Sequence, residues 1–301
     1  MVRIRASCLT FLLVICLTGA AEVQAQLGLA LMKVEPAARP SGMGGAFVSV
    51  TGDPNAPAYN PAGAVMTERF VASLGHNTYW TNVRLETGYA VAPLSSRTYL
   101  HGGFRFASVD DIEGRSAPSA EPDVVFEARD ISFKAGLAYR YTERFSAGFA
   151  VGWFMEKIGA WRGSAFNVDA GLLYRITPVI VVGASVVNNG CDFNLKLDGN
   201  PSSEDIALPT TYRAGGSYRY DRYLGAVDVV MLEEKVHVHA GAEAVLHESL
   251  SIRSGYMFNY DSKNFTAGAS FTRHNFTFDY AFVPYTNDLG TSHLFNLTVT
   301  I

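Results

Sequence analysis

His293-Leu294-Phe295-Asn296-Leu297-Thr298-Val299-Thr300-Ile301 puts Phe295, Leu297, Val299 and Ile301 on one side of an extended strand and Asn296, Thr298 and Thr300 on the other. The period of two recurs along most of the chain and follows an export signal. A strand that is apolar on one face, polar on the other and last in an exported chain reads as the closing strand of an outer-membrane β-barrel.

Residues 1–25 form the expected signal peptide. Arg3 and Arg5 supply the positive end, Cys8 to Leu17 the apolar stretch, and Val23-Gln24-Ala25 the small-residue cleavage pattern of the general secretory route. A lipoprotein would need a small residue just before a cysteine at the end of the apolar stretch, and Ile15 precedes Cys16. With Cys8 and Cys16 removed, Cys191 is the one cysteine left and no internal disulfide can form. Removing Arg3, Arg5 and Glu22 from 24 basic and 28 acidic residues leaves 22 against 27, a net charge of −5. That balance gives no footprint for nucleic acid.

The remaining 276 of the 301 residues suffice for one all-β domain. No stretch after the signal has the roughly 18 consecutive apolar residues of a membrane helix. A closed barrel is the other structure that satisfies every backbone group in lipid.

Alternation predicts strands near 70–77, 83–92, 98–108, 127–141, 144–157, 163–176, 179–188, 210–220, 223–232, 236–246, 250–259, 265–272, 276–283 and 293–301, about fourteen in all. In 276–283, Phe276, Phe278, Tyr280 and Phe282 share one face, with Thr277, Asp279 and Ala281 on the other. Aromatics in such a row want lipid, whereas a soluble sandwich builds its oily face from interlocking aliphatics. The strand 223–232 is ambiguous, because Leu224, Ala226, Val230 and Leu232 travel with Asp228. A charge on the lipid face costs roughly 2 kcal/mol or more near the midplane for a basic residue and somewhat less for an acidic one, so Asp228 is turned inward.

Tight connections at 95–97, 142–143, 177–178, 221–222, 247–249 and 273–275 alternate with mostly longer ones such as 109–126, 189–209 and 284–292. Short turns therefore fall on the periplasmic rim and long loops outside. An even strand number returns both ends to the periplasm. The loops 109–126 and 189–209 are rich in Asp, Glu, Ser and Pro, a natural surface for a partner or lid.

Ahead of the ladder, Ser41 to Gly63 reads SGMGGAFVSVTGDPNAPAYNPAG. Gly42, Gly44 and Gly45 permit close approach of other chains, and Pro54, Pro57 and Pro61 block ladder pairing. About fourteen strands leave a lumen to be filled. Phe47, Val48, Val50 and Tyr59 give this segment groups to bury, which a free periplasmic tail would not need. The expected division is signal 1–25, hatch 26–66 and barrel 67–301. The hatch positions singled out are Pro40, Gly42, Gly44, Gly45, Asn60, Pro61 and Gly63.

The run Ala38-Arg39-Pro40-Ser41-Gly42-Met43-Gly44-Gly45-Ala46-Phe47, then Asp53, Asn55 and Asn60-Pro61-Ala62-Gly63, resembles the N-terminal signature of the PorV/PorQ family of outer-membrane proteins, which is related to FadL-type fatty-acid transporters. Asp279-Tyr280-Ala281-Phe282-Val283-Pro284-Tyr285 followed by Asp288-Leu289-Gly290 resembles that family's ending. The resemblance spans essentially the whole mature chain. It implies a fourteen-stranded barrel with an N-terminal hatch in the lumen. It also implies partners among exported proteins or components of the type IX secretion system, or a hydrophobic ligand in the FadL-like case. The chain is shorter than the fuller PorV proteins and ends in Ile301 where many barrels end in an aromatic.

Lys134, Arg140, Asp169, Arg175, Arg213, Arg219, Glu243, Arg253 and Asp279 are predicted to point into the lumen as a hydrated lining. His237 and His239 share a face with Glu243, which falls short of the three or four supported ligands that zinc sites use. No Gly-x-Ser-x-Gly run, His-Glu-x-x-His run or phosphate-cradling loop occurs, so neither catalysis nor a cofactor is expected. The leading expectation is an accessory that engages exported proteins at the outer membrane. The rival is a FadL-like conduit for fatty acids or other hydrophobic molecules, which predicts an oily pocket beside the hatch, whereas the accessory predicts a filled lumen. A purely structural barrel is the third reading.

Overall fold

The computed structural model describes residues 29, 32–79, 83–197, 200–201, 205–286 and 290–301. The expected signal peptide and the Asp288-Leu289 pair lie outside these. The chain is a closed antiparallel barrel. Its strands are β1 (Val71–Thr78), β2 (Arg84–Pro93), β3 (Thr98–Gly114), β4 (Val124–Arg140), β5 (Phe145–Ile158), β6 (Trp161–Arg175) and β7 (Ile180–Gly190). A small hairpin of β8 (Lys196–Leu197) and β9 (Asn200–Pro201) precedes β10 (Thr211–Tyr220), β11 (Tyr223–Leu232), β12 (Lys235–His247), β13 (Leu250–Phe258), β14 (Phe265–Arg273), β15 (Phe276–Pro284) and β16 (Thr291–Thr300). Leaving out the β8–β9 hairpin, fourteen strands make the wall, and β1 closes it by pairing with β16 from Val71↔Thr300 to Thr78↔His293.

The faces divide as the period of two requires. On β5, Phe149 and Val151 are exposed while Ala150 and Phe154 are buried inside. On β13, Ile252, Tyr256 and Phe258 face out and Arg253 and Met257 face in. A ring of exposed aromatics, Tyr139, Tyr141, Phe145, Tyr174, Tyr218, Tyr220 and Tyr223, follows the rim of short turns, where amphipathic rings meet the headgroups. On β11 the ambiguity resolves by charge. Val227 and Val229 face out, and Asp228, fully buried, points inward with Leu224, Ala226 and Val230.

Two outer connections differ from expectation. The segment 109–126 is largely a hairpin, since β3 and β4 stay paired up to Gly114↔Val124. A bulge between Val109 and Ile112, with Asp111 at a φ of 56°, shifts the alternation by one residue and made the extension read as loop. Within 189–209, Lys196 pairs with Arg162 and Phe193 bridges Ile206, so this loop folds back over β6.

The segment ahead of β1 runs through the lumen. It holds a short helix, α1 (Ala38–Gly42), and two 3-10 turns, Ala56–Ala58 and Pro61–Ala64. Ala46, Phe47, Val48, Ala56 and Ala62 are fully buried there.

The outward face carries its own test. Arginine in place of Val151, on the lipid face near mid-strand, should cost about 2–4 kcal/mol of stability in bilayers, and Val151→Thr far less. Urea titration in liposomes, with heat-modifiable gel mobility as the readout, measures the difference.

Candidate functional site

The site is the surface where the lumenal segment meets the wall. Its backbone has no sheet partner of its own, so lining side chains supply one. Asn296 on β16 accepts the Ala38 N–H at 2.7 Å, and Thr266 on β14 accepts the Gly44 N–H at 3.0 Å. Asn77 and Thr87 both donate to the Pro36 carbonyl at 3.1 Å. The Asp228 carboxylate accepts the N–H groups of Phe47 and Val48 at 2.7 and 2.8 Å. Asn60 donates to the carbonyls of Val48 and of Leu172 on β6, tying the segment to itself and to the wall.

The wall is thinned where the segment passes. A Cβ at Gly255 would overlap the Gly44 nitrogen, and one at Gly171 would overlap the Asn60 side chain. Gly44 and Gly45 turn the chain there with φ of 64° and 73°, a region open to glycine. Pro40 accepts from Met43 and Gly45. Gly42 lies on Gly268, Pro61 on Gly148, and Gly63 on Ala56.

A charge network crosses mid-lumen. Arg39 donates to both Glu243 oxygens at 2.9 Å and to Asp53 at 2.8 Å. Arg253 donates to Glu243 at 2.6 Å and sits 3.0 Å from Asp279, which also accepts from Ser270. Two guanidiniums thus join three carboxylates, two of the five groups belonging to the lumenal segment. Arg213 donates to the Gly45 carbonyl at 3.2 Å and lies 3.8 Å from Glu35. Lys134 and Asp169 pair on a different side, with Asn188. Of the residues singled out beforehand, Glu243, Arg253 and Asp279 come together, and Lys134 with Asp169 forms a separate cluster.

Nearer the outer rim, Glu35 receives the Tyr59 hydroxyl and the Tyr79 hydroxyl reaches its carbonyl at 2.6 Å. Burial alone would raise the Glu35 carboxyl. The charges of Arg213, Lys263 and His239 and the Tyr59 hydrogen bond outweigh it and hold the group below its ordinary range. The void between Glu35, Lys263, Tyr285 and Leu294 is about 10 Å³, room for one water. His237 stacks on Tyr260 with centroids 3.8 Å apart, and His239 Nε2 lies 2.9 Å from the Tyr260 hydroxyl. Glu243, further along the same face of β12, is held by two arginines. Among the described residues no group of three His, Cys, Asp or Glu is placed to hold a metal. Cys191 is exposed.

A fourth feature is apolar. Leu29 and Met32 pack with Phe154, Ala165, Phe193 and Leu208, with Leu195 and Ile206 at the margin, beneath the connection from β7 to β10. Sequence reasoning did not find this cluster, nor the partners Arg39, Asp53, Glu35 and Asp228 supply. The available signal was Asp228, an acid in an otherwise apolar inward row.

No family model and no curated protein matches the chain. Solved structures do. The Pseudomonas putida toluene transporter TodX is 12% identical with a TM-score of 0.65, covering 89% of this chain and 98% of that one. The CymD monoaromatic hydrocarbon channel is 13% identical with a TM-score of 0.65, covering 88% and 97%. A Pseudomonas aeruginosa FadL homologue is 12% identical with a TM-score of 0.59, covering 88% and 97%. The chain therefore has the fold of FadL-like outer-membrane barrels.

Asp228→Ala should remove two charge-assisted bonds of about 1.5–3 kcal/mol each and speed amide exchange at Phe47 and Val48 while the strands stay protected. Acid should act through Glu35. Its folded value lies below the ordinary 4.5, so its contribution is complete above that pH and is lost as pH falls through the lower folded value. Planar-bilayer leak should rise below about pH 4.5 in the native chain, and Glu35→Gln should show that leak already at neutral pH.

Proposed function

We propose that the protein resides in the bacterial outer membrane and is a conduit for small hydrophobic molecules, with its hatch closed. It acts by binding and passage and not by catalysis. The observation that carries this reading is the apolar cluster under the outer connection. Phe154 and Ala165 of the wall with Phe193 and Leu208 of the connection from β7 to β10 form a surface that the chain's own Leu29 and Met32 occupy. A hydrophobic molecule arriving from outside competes for the same surface, and its gain is set by the apolar area it covers.

The fold neighbours support the same reading, because TodX and CymD are named as channels or transporters of toluene and monoaromatic hydrocarbons. The sequence alone put a secretion accessory first, and no neighbour named above is one. An open oily pocket was the expectation for a conduit. Here the chain itself fills that place, which makes the closed state a competitive one. Residues 26–66 serve as the hatch on this reading, with Pro40, Gly42, Gly44, Gly45, Asn60, Pro61 and Gly63 shaping its fit to the wall.

Expression in a Gram-negative host should raise uptake of toluene and leave uptake of a disaccharide unchanged. Leu208→Asp should reduce the toluene increment several-fold with the barrel still heat-modifiable. Equal gains for both solutes would mean an unselective pore.

A further inference from the structure

Directly below the apolar cluster the same wall turns polar. The register of β4, β5 and β6 places Ser132, Phe154 and Ala165 in one row, Lys134, Gly152 and Asn167 in the next, and Gly136, Ala150 and Asp169 in the third. His101 on β3 joins the third row beside Gly136. Rows of one face are about 7 Å apart. A molecule with its tail against Phe154 meets Lys134 and Asn167 one row on, and a longer one meets the His101 ring, which leans over Gly136 a row further.

The charge in this patch is already matched. The three ammonium protons of Lys134 go to the two Asp169 oxygens at 2.7 and 2.6 Å and to Asn188 at 2.7 Å, so the lysine has no donor left for an anion. Two neighbours are not matched. Asn167 is 2% exposed and His101 4% exposed. Among the described residues, neither amide atom of Asn167 has a partner, nor does Nε2 of His101. The other ring nitrogen of His101 donates to the Phe149 carbonyl, which leaves Nε2 as an acceptor. Asn167 presents a donor and an acceptor side by side. Both side chains lie over glycines, Asn167 across Gly152 beside the Lys134 stem and His101 against Gly136 beside Ala150. Buried polar atoms of this kind are satisfied by water or by a ligand, and the side chain of Lys134 keeps 20% of its surface exposed beside them.

We propose that Asn167 and His101 form a subsite for the neutral hydrogen-bonding head, a hydroxyl or primary amide, of an otherwise apolar cargo. The inference rests on the conduit reading and narrows it from hydrophobic molecules in general to neutral amphiphiles. A carboxylate gains little, because Asp169 repels it and Lys134 is engaged. A plain hydrocarbon leaves the amide unpaired.

The test uses the full chain in amphipol, with displacement of bound 1-N-phenylnaphthylamine by octane, 1-octanol and octanoate. These probes share a tail and differ in head. Octanol is expected to displace about tenfold more tightly than either of the others, one hydrogen bond's worth. Asn167→Leu should bring the octanol-to-octane ratio to about one, and His101→Phe should lower it independently should the first variant not fold. A ratio near one in the native chain, as when a fixed water satisfies Asn167, overturns the subsite and leaves the conduit standing. Tightest displacement by octanoate overturns it in favour of an anionic head. Displacement by none of the three overturns both readings.

Discussion

The structure depends on a backbone that has no sheet to join. From Pro36 to Asn60 the lumenal segment runs through the barrel, pairing part of its backbone in its own turns and turning other amides and carbonyls to the wall, where each unpaired group would cost on the order of 1–3 kcal/mol. The wall answers with side chains placed as surrogate ladder partners: Asn296, Thr266, Asn77, Thr87, Asp228, Ser185 and Ser217. Most come from strands whose outward residues face lipid. The alternation that makes the outside greasy therefore fixes which residues can hold the hatch, and a one-residue slip of any of these strands would put a hatch partner into the bilayer.

Shape follows the same constraint. Inward glycines on β5, β6, β7, β12 and β13 sit where the hatch backbone passes, at Gly148, Gly171, Gly183, Gly241 and Gly255. Glycine weakens a strand through chain entropy and lost packing. That weakness is repaid locally by the hatch lying against the strand backbone. Wall and hatch thus form one packed unit, and the apolar groups between them, Phe47 and Tyr59 against Leu224 and Ala226, exclude water from the bonds they surround.

The wall was legible in the sequence because lipid imposes a strict period of two over long runs, and the strand count and turn parity followed from it. Asp228 could be oriented from an energy cost alone. The pattern failed at Asp110-Asp111, where a bulge breaks the period, and beyond Asn189, where a small hairpin pairs at β6 without alternation. Site partners were harder to read. Arg39 and Glu243 are 204 positions apart, and nothing local in either neighbourhood marks the other. Asn167 and His101 looked like ordinary lining, because an unpaired amide is a property of three-dimensional surroundings and not of composition.

The arrangement also constrains how a molecule could pass. Parting two wall strands would expose ladder groups to hydrocarbon, where no water replaces the lost bonds and each costs several kcal/mol. Moving the hatch breaks comparable bonds inside a lumen that water can enter, and an exchange with water costs only about 1 kcal/mol per bond. The ladder is interrupted between Val168 and Ala170, which would be the weak seam for a sideways exit. There Asn188, at a φ of 60°, turns its N–H onto the Asp169 carboxylate at 2.7 Å, and Lys134 clamps both. The seam is closed by a charge-assisted bond that faces the lumen, so loosening it would first require water or cargo at Lys134.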